Sequence, residues 1–280
     1  MRTLRNLSVT DLEGNNMCKS VFEFSWRIVQ QLIIFDQDET DMSKIKGWGS
    51  GFFLCYKDRL FLVTADHCIH YDDYQEGRLG RDDRICVVNN IYDKMQWRST
   101  LTPFGGFYFF DQYNLKEPDI PDLQDFAFAI HENRFEAPFL TRELKDGETV
   151  LCEDAKEKFI LKCDAITDFD KDRYYVCTGT VQNKIVNGMF NGCANAIHCD
   201  LRFREYDIDG NAVLDYPGYV KHEDWAGLSG GPVMDDQCHV AGMLIRVSED
   251  ANTIIAVPMK KILRFMDAAI KFEEIYNESK

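Results

Sequence analysis

Between Arg27 and Val257 the chain is a string of short apolar or aromatic runs, each cut off by a polar turn. The first set is Arg27–Phe35, Gly49–Tyr56, Leu60–Ala65, Ile85–Ile91, Phe104–Phe110 and Asp125–Ile130. After Ala137–Gly147 a second set follows: Thr149–Cys152, Phe159–Cys163, Tyr174–Val181, Ala196–Phe203, Pro232–Met234, Val240–Val247 and Thr253–Val257. Runs this short at turn-rich spacing predict strands and an all-β fold, and the pattern alone leaves sandwich and barrel open. Only the last segment carries a helical period. From Lys260 to Tyr276 the apolar positions Ile262, Leu263, Phe265, Met266, Ala269, Ile270 and Phe272 recur near every 3.6 residues, with Pro258 suited to the first turn. Residues 1–20 are polar and irregular and read as an arm.

One turn stands out chemically. Gly227-Leu228-Ser229-Gly230-Gly231-Pro232 sets a serine among glycines, where backbone N–H groups can converge on one point without side-chain obstruction. Acyl transfer needs fixed donors at the developing oxyanion, and the N–H groups of Gly227 and Ser229 are the candidates. A hydroxyl is a poor nucleophile without a base and an acid to orient that base. Upstream, Phe61-Leu62-Val63-Thr64-Ala65-Asp66-His67-Cys68 is an apolar strand ending in a histidine, and Leu123-Gln124-Asp125-Phe126-Ala127 opens another with an aspartate. A Ser-Gly-Gly-Pro turn, a strand-end histidine or a turn aspartate is each commonplace alone. Their joint occurrence in the order His, Asp, Ser is what discriminates, because unrelated folds use other orders.

On these three motifs the chain resembles the trypsin-like (chymotrypsin-fold) serine peptidases. The resemblance implies two six-stranded antiparallel β-barrels with the active site between them and a C-terminal α-helix packed on the second barrel. It divides the chain into an arm (1–20), an N-terminal barrel with His67 and Asp125 (21–136), a linker (137–147), a C-terminal barrel with Ser229 (148–257) and the helix (258–280). Ser229 then attacks the scissile carbonyl, His67 moves the proton, and Asp125 holds the ring in its useful tautomer. No cofactor or metal is implied. Because free His67 has to be neutral, activity should rise with pH through about 6 to 7.5.

Departures from the digestive type narrow the reading. Arg27-Ile28-Val29 is followed by Gln30-Gln31 rather than glycines, and Leu228 stands where an aspartate would pair with a freshly cut N-terminus. Zymogen activation of that kind is therefore not expected. Gly49-Ser50-Gly51-Phe52-Phe53 and Ile255-Ala256-Val257-Pro258 are more similar to Deg-type and glutamyl endopeptidases. Extracellular relatives bond the cysteine after the catalytic histidine to one on the preceding strand. A hairpin turning through Lys57-Asp58-Arg59 would put Cys55 opposite Phe61 and Cys68 opposite Trp48, leaving the thiols about 23 Å apart at about 3.3 Å per residue. A disulfide spans only about 4.4–6.8 Å between Cα atoms. With no apolar signal core in Met1–Ser8, a reduced, cytoplasmic protein is expected.

Composition excludes other classes. The net charge of −15 argues against nucleic-acid binding, and no long apolar stretch predicts a membrane span. Cys177, Cys193, His198 and Cys199 are open to reading as a zinc cluster or as buried thiols, the latter favoured. Asp207-Ile208-Asp209-Gly210-Asn211 places its glycine too early for a calcium loop and reads as a hairpin turn.

The expected partner is a protein or peptide substrate. Glu223 falls where trypsin carries its pocket acid, which would favour Arg or Lys at the cleaved bond; the alternative is a residue facing water. Ile245-Arg246-Val247 is the expected edge for an extended peptide, and the acidic stretch Asp72, Asp73, Glu76, Asp82 and Asp83 is an expected rim. Asp66 is read either as a solvated turn residue or as a carboxylate close enough to perturb Asp125. Two further readings stay open: an idle domain used for binding, and a protease whose oxyanion hole is completed by an activating protein partner.

Overall fold

The computed structural model describes residues 9–10, 16–18, 21–36, 39, 41, 44–70, 84–93, 96–112, 122–131, 140–141, 156–186 and 190–279. Two β-structures dominate them. The first contains β1 (Val29–Phe35), β2 (Gly47–Tyr56), β3 (Arg59–Thr64), β4 (Arg84–Asp93), β5 (Gln96–Phe104), β6 (Phe107–Gln112) and β7 (Asp122–His131). They are hydrogen-bonded in the order β5-β4-β1-β2-β3-β7-β6, and the short strand Leu161–Lys162 adds parallel to β2. The second contains β8 (Tyr174–Val186), β9 (Phe190–Tyr206), β10 (Ala212–Asp215), β11 (Pro232–Asp235), β12 (Val240–Ser248) and β13 (Thr253–Pro258), closed as β8-β9-β10-β13-β12-β11.

The second half is therefore the expected six-stranded barrel, and the first is not. It is a curled eight-stranded sheet with two ends, β5 and β6. The run Phe104–Phe110, expected as one strand, is split between those ends by Gly105-Gly106, with Gly106 at φ +68. Phe104 is opposite Ile85 while Phe107 is opposite Ala129, so the two glycines make a corner between strands that ladder with different neighbours. A closed barrel would need a β5–β6 ladder, and none forms among the described residues.

Other expectations shift locally. The β2–β3 turn uses only Lys57 and Asp58, at φ 49 and 61, the positive pair of a two-residue hairpin. Cys55 is thus opposite Leu60, one position from the expected Phe61. Both Cys55 and Cys68 are free thiols. Val21–Ile28 forms a helix, α1, that the strand reading missed, and within the arm Val9–Thr10 pairs with Asn16–Cys18. The run Thr149–Cys152 lies outside the described residues. Asp207–Asn211 is a hairpin turn, in which Asp207 Oδ1 accepts from the N–H groups of Asp209 and Asn211.

The two halves share one core because the strand period is two. Along β8, Tyr175 and Cys177 point into the barrel while Val176 joins the core of the first sheet. Along β12, Ala241 and Leu244 point in, and Val240, Met243 and Ile245 point out to that same core. The C-terminal helix, Met259–Glu278, buries Met259, Ile262 and Met266 there. Rather than resting on the second barrel alone, it straps the first sheet. Asp267 accepts from Tyr56 (2.9 Å) and Lys57 (2.6 Å), Glu273 accepts from Arg59 (2.5 Å) and Tyr108 (2.7 Å), and Phe265 packs on Phe110 and Phe126. No helix among the described residues is long and apolar enough to cross a membrane.

Candidate active site

His67 sits in a single 3-10 turn, Asp66–Cys68, that ends β3, and Asp125 lies on β7, the next strand of the sheet. The ladder therefore brings the two side chains together. His67 Nδ1 lies 2.9 Å from Oδ1 and 3.0 Å from Oδ2 of Asp125, and the His67 backbone N–H donates to Oδ1 at 3.2 Å. A carboxylate only accepts, so the ring proton is on Nδ1 and Nε2 keeps its lone pair. Burial opposes the charged ring, but Asp125 outweighs it, with Cys68 adding to the rise, and the His67 pKa stands well above 6.5.

Ser229 belongs to the turn between the short helix His222–Trp225 and β11. Two of its glycines are dictated by geometry. Gly227 (φ +97) and Gly230 (φ +85) adopt backbone that L side chains avoid, and a Cβ on Gly230 would fall 2.0 Å from Ser50 O. Each neighbouring peptide is anchored. Leu228 N–H donates to Trp225 C=O (3.0 Å), Gly230 N–H to Leu244 C=O (2.9 Å) and Gly231 N–H to Leu228 C=O (2.8 Å). Among the hydrogen bonds of the described residues, none uses the N–H of Gly227 or Ser229. These are the two amides expected at the oxyanion.

Ser50, which sequence reasoning quoted only as part of a family signature, is the clamp between the halves. Its N–H donates to Ser229 C=O (2.9 Å), and its Oγ donates to Gly227 C=O (2.7 Å) while accepting from Thr180 N–H (2.8 Å). Thr64 Oγ1 in turn donates to Ser50 C=O (2.8 Å). A fully buried serine between two glycines on a strand was the available signal.

His67, Ser229 and Gly227 line one cavity of about 360 Å³, together with Ile245, Arg246 and Val247. The β11 ladder ends where Pro232 is opposite Met243, so among the described residues β12 is laddered on one side only from Ile245 onward, which leaves the edge an extended peptide would use. Trp48, Cys68, His222 and Trp225 complete the walls and were not anticipated. Glu223 is not in this cleft. It is exposed and lines a neighbouring cavity, with the Trp225 indole shared between the two. Asp66 is not a solvated turn residue. It is fully buried, with Oδ1 3.3 Å from His70 Nδ1. Leu228 is buried in the barrel core, where no ion pair could form. The acidic stretch from Asp72 to Asp83 lies outside the described residues. Among the described residues, no group of three His, Cys, Asp or Glu side chains is placed to hold a metal.

No protein-family model matches the chain, and no curated protein matches it in sequence. Three solved structures align with most of it. A serine endoprotease from Yersinia pestis aligns at 12% identity and a TM-score of 0.47, covering 89% of this chain and 64% of that one. The MamO protease domain from Magnetospirillum magneticum aligns at 10% and 0.43, covering 88% and 98%. The HtrA-type protease AlgW, in a structure with tripeptide, aligns at 13% and 0.42, covering 88% and 61%. The chain thus spans less than two thirds of the length of the first and third of these.

Proposed function

We propose that the protein is a serine endopeptidase that cleaves peptide bonds through an acyl-enzyme intermediate. Ser229 is the nucleophile, His67 the general base and then acid, Asp125 the residue that orients and stabilises the ring, and the N–H groups of Gly227 and Ser229 the oxyanion donors. The observation that carries this reading is the His67–Asp125 pair, at 2.9 Å, whose His67 lines the same cavity as Ser229. Asp125 fixes the proton on Nδ1, so Nε2 is free to take the serine proton, which it later gives to the leaving amine. Peptide substrates bind by strand addition along Ile245, Arg246 and Val247.

The test is reaction with a fluorophosphonate probe. Wild-type protein should be labelled and Ser229→Ala should not; equal labelling of the two removes the assignment.

A second reading rests on one specific feature. Every peptide plane from Gly227 to Gly230 is held by a hydrogen bond, whereas among the described residues none holds the Ala226–Gly227 plane that carries the Gly227 N–H. In that reading a bound partner or substrate sets this last plane and switches the enzyme on. A pure protein that is folded yet unlabelled, and labelled after a partner is added, would select it.

A further inference from the structure

Behind the cleft, on the far side of Trp225, lies a second cavity of about 350 Å³ that the proposed reaction does not use. Its walls are His198, Tyr216, Tyr219, Glu223, Asp224 and Trp225, with small apolar residues between them. Three of the rings that line this box pack on one another. His198 and Trp225 stack face to face, with centroids 3.7 Å apart and planes 12° apart. Tyr216 stands across both, at 81° to His198 (5.5 Å) and 90° to Trp225 (5.3 Å). A hydrogen bond between Tyr216 OH and His198 Nδ1 (3.3 Å) fixes that corner. Tyr219, 89% exposed, leaves its ring open to an incoming group.

The charges at this box are of one sign. Glu223 and Asp224 are both exposed, and among the described residues neither carboxylate makes an ion pair or side-chain hydrogen bond. Burial pushes the His198 pKa below 6.5 against the Asp224 backbone carbonyl and the Asp224 charge, which disfavours an opposing positive charge on the ring. A cavity lined by an open tyrosine ring and two unneutralised carboxylates attracts a cation, through the ring quadrupole and through charge-assisted hydrogen bonds.

We propose that this cavity is a binding site for an organic cation, the guanidinium or ammonium group of a polypeptide side chain or a free alkylammonium, separate from the cleft that holds Ser229. Glu223 was expected to read a basic residue at the cleaved bond. Its chemistry is retained here, one indole away. Trp225 is 3% exposed and walls both cavities, so an occupant of the box presses on the side of the cleft.

The test titrates the full chain calorimetrically with three probes: a capped tripeptide with a central arginine, the same tripeptide with citrulline, and tetramethylammonium. The arginine peptide should bind at least about tenfold more tightly than the uncharged citrulline one. The double substitution Glu223→Gln, Asp224→Asn, on exposed positions and with an unchanged melting temperature, should remove most of that difference, as should Tyr219→Ala. Tighter binding of tetramethylammonium than of the arginine peptide would assign the box to a free alkylammonium; the reverse would assign it to a polypeptide side chain. The proposal is overturned if arginine and citrulline peptides bind alike and tetramethylammonium does not bind, or if the double variant keeps wild-type affinities. No step requires cleavage, so an inert Ser229 leaves the result intact.

Discussion

The two halves of the molecule solve different problems with the same kind of strand. In the barrel of β8 to β13 every strand has a neighbour on each side, and the turn at Ser229 is anchored to that ring through Leu244 and Trp225. The sheet of β1 to β7 has two ends, and Asp125 lies on β7, one strand from the end at β6. The Ser229 turn is thus held by a closed hydrogen-bonded network, and the His67–Asp125 pair by its own hydrogen bonds and by packing. Phe265 of the C-terminal helix presses on Phe126, the residue after Asp125, and Ser50 ties the open half to the nucleophile turn. Closure fixes backbone donors well, whereas an open sheet needs a strap to hold side chains in place.

The largest effect expected belongs to the open half. Asp125→Asn should lower kcat by on the order of 10⁴, because the ring loses the acceptor that sets its tautomer, while thermal unfolding changes little. An Asn variant with near-wild-type turnover would break the comparison, since the pair would then be structural. In the closed half the expectation reverses. Gly230→Ala should destabilise the fold by at least about 4 kcal/mol, because its Cβ would meet Ser50 O at 2.0 Å in a φ that alanine resists. A folded variant of unchanged melting temperature would show that the turn is looser than the barrel around it.

Ser50→Ala tests the link between the halves. It strips the partly buried Gly227 C=O and the buried Thr180 N–H of a partner and should cost about 2–3 kcal/mol in chemical denaturation. A loss below about 0.5 kcal/mol would mean that the clamp is incidental.

The smallest effect is in pH. The raised pKa of His67 puts the acid limb of kcat/KM above pH 6.5, further up than an unperturbed imidazole would give. The stability sign is opposite to the activity sign. A histidine with a raised folded pKa contributes stability that is fully present below about 6.5 and is lost as pH rises through the folded value. Activity should therefore grow over the window in which the His67–Asp125 contribution to stability fades. A limb at or below 6.5 would contradict the pairing.

Much of this was legible because it is local. The Ser229 turn, the strand-end histidine and the aspartate each lie in a short motif, and the period of the final helix is unmistakable. What failed was long-range. Whether the first half closes is decided by which neighbours Phe104 and Phe107 choose across a two-glycine corner, and no local pattern encodes that. The β2–β3 register slipped by one because Lys57 and Asp58 accept positive φ without glycine. The short helix Val21–Ile28 escapes the strand reading because its last residues, Arg27 and Ile28, run without a break into the apolar residues of β1. Glu223 was placed by counting back from Ser229, but spacing cannot tell which side of the Trp225 indole a carboxylate takes. Ser50 acts through a partner far away in sequence, at Gly227, so its role could only be seen in three dimensions.

The central claim is that the His67 ring activates the Ser229 hydroxyl across the cleft. Peptide mass mapping of fluorophosphonate-treated protein tests it most directly. The phosphonyl adduct should sit on Ser229, and the labelling rate should fall by a factor on the order of 10³ or more in His67→Ala. An adduct on another residue, or a rate unchanged by loss of the imidazole, would contradict it.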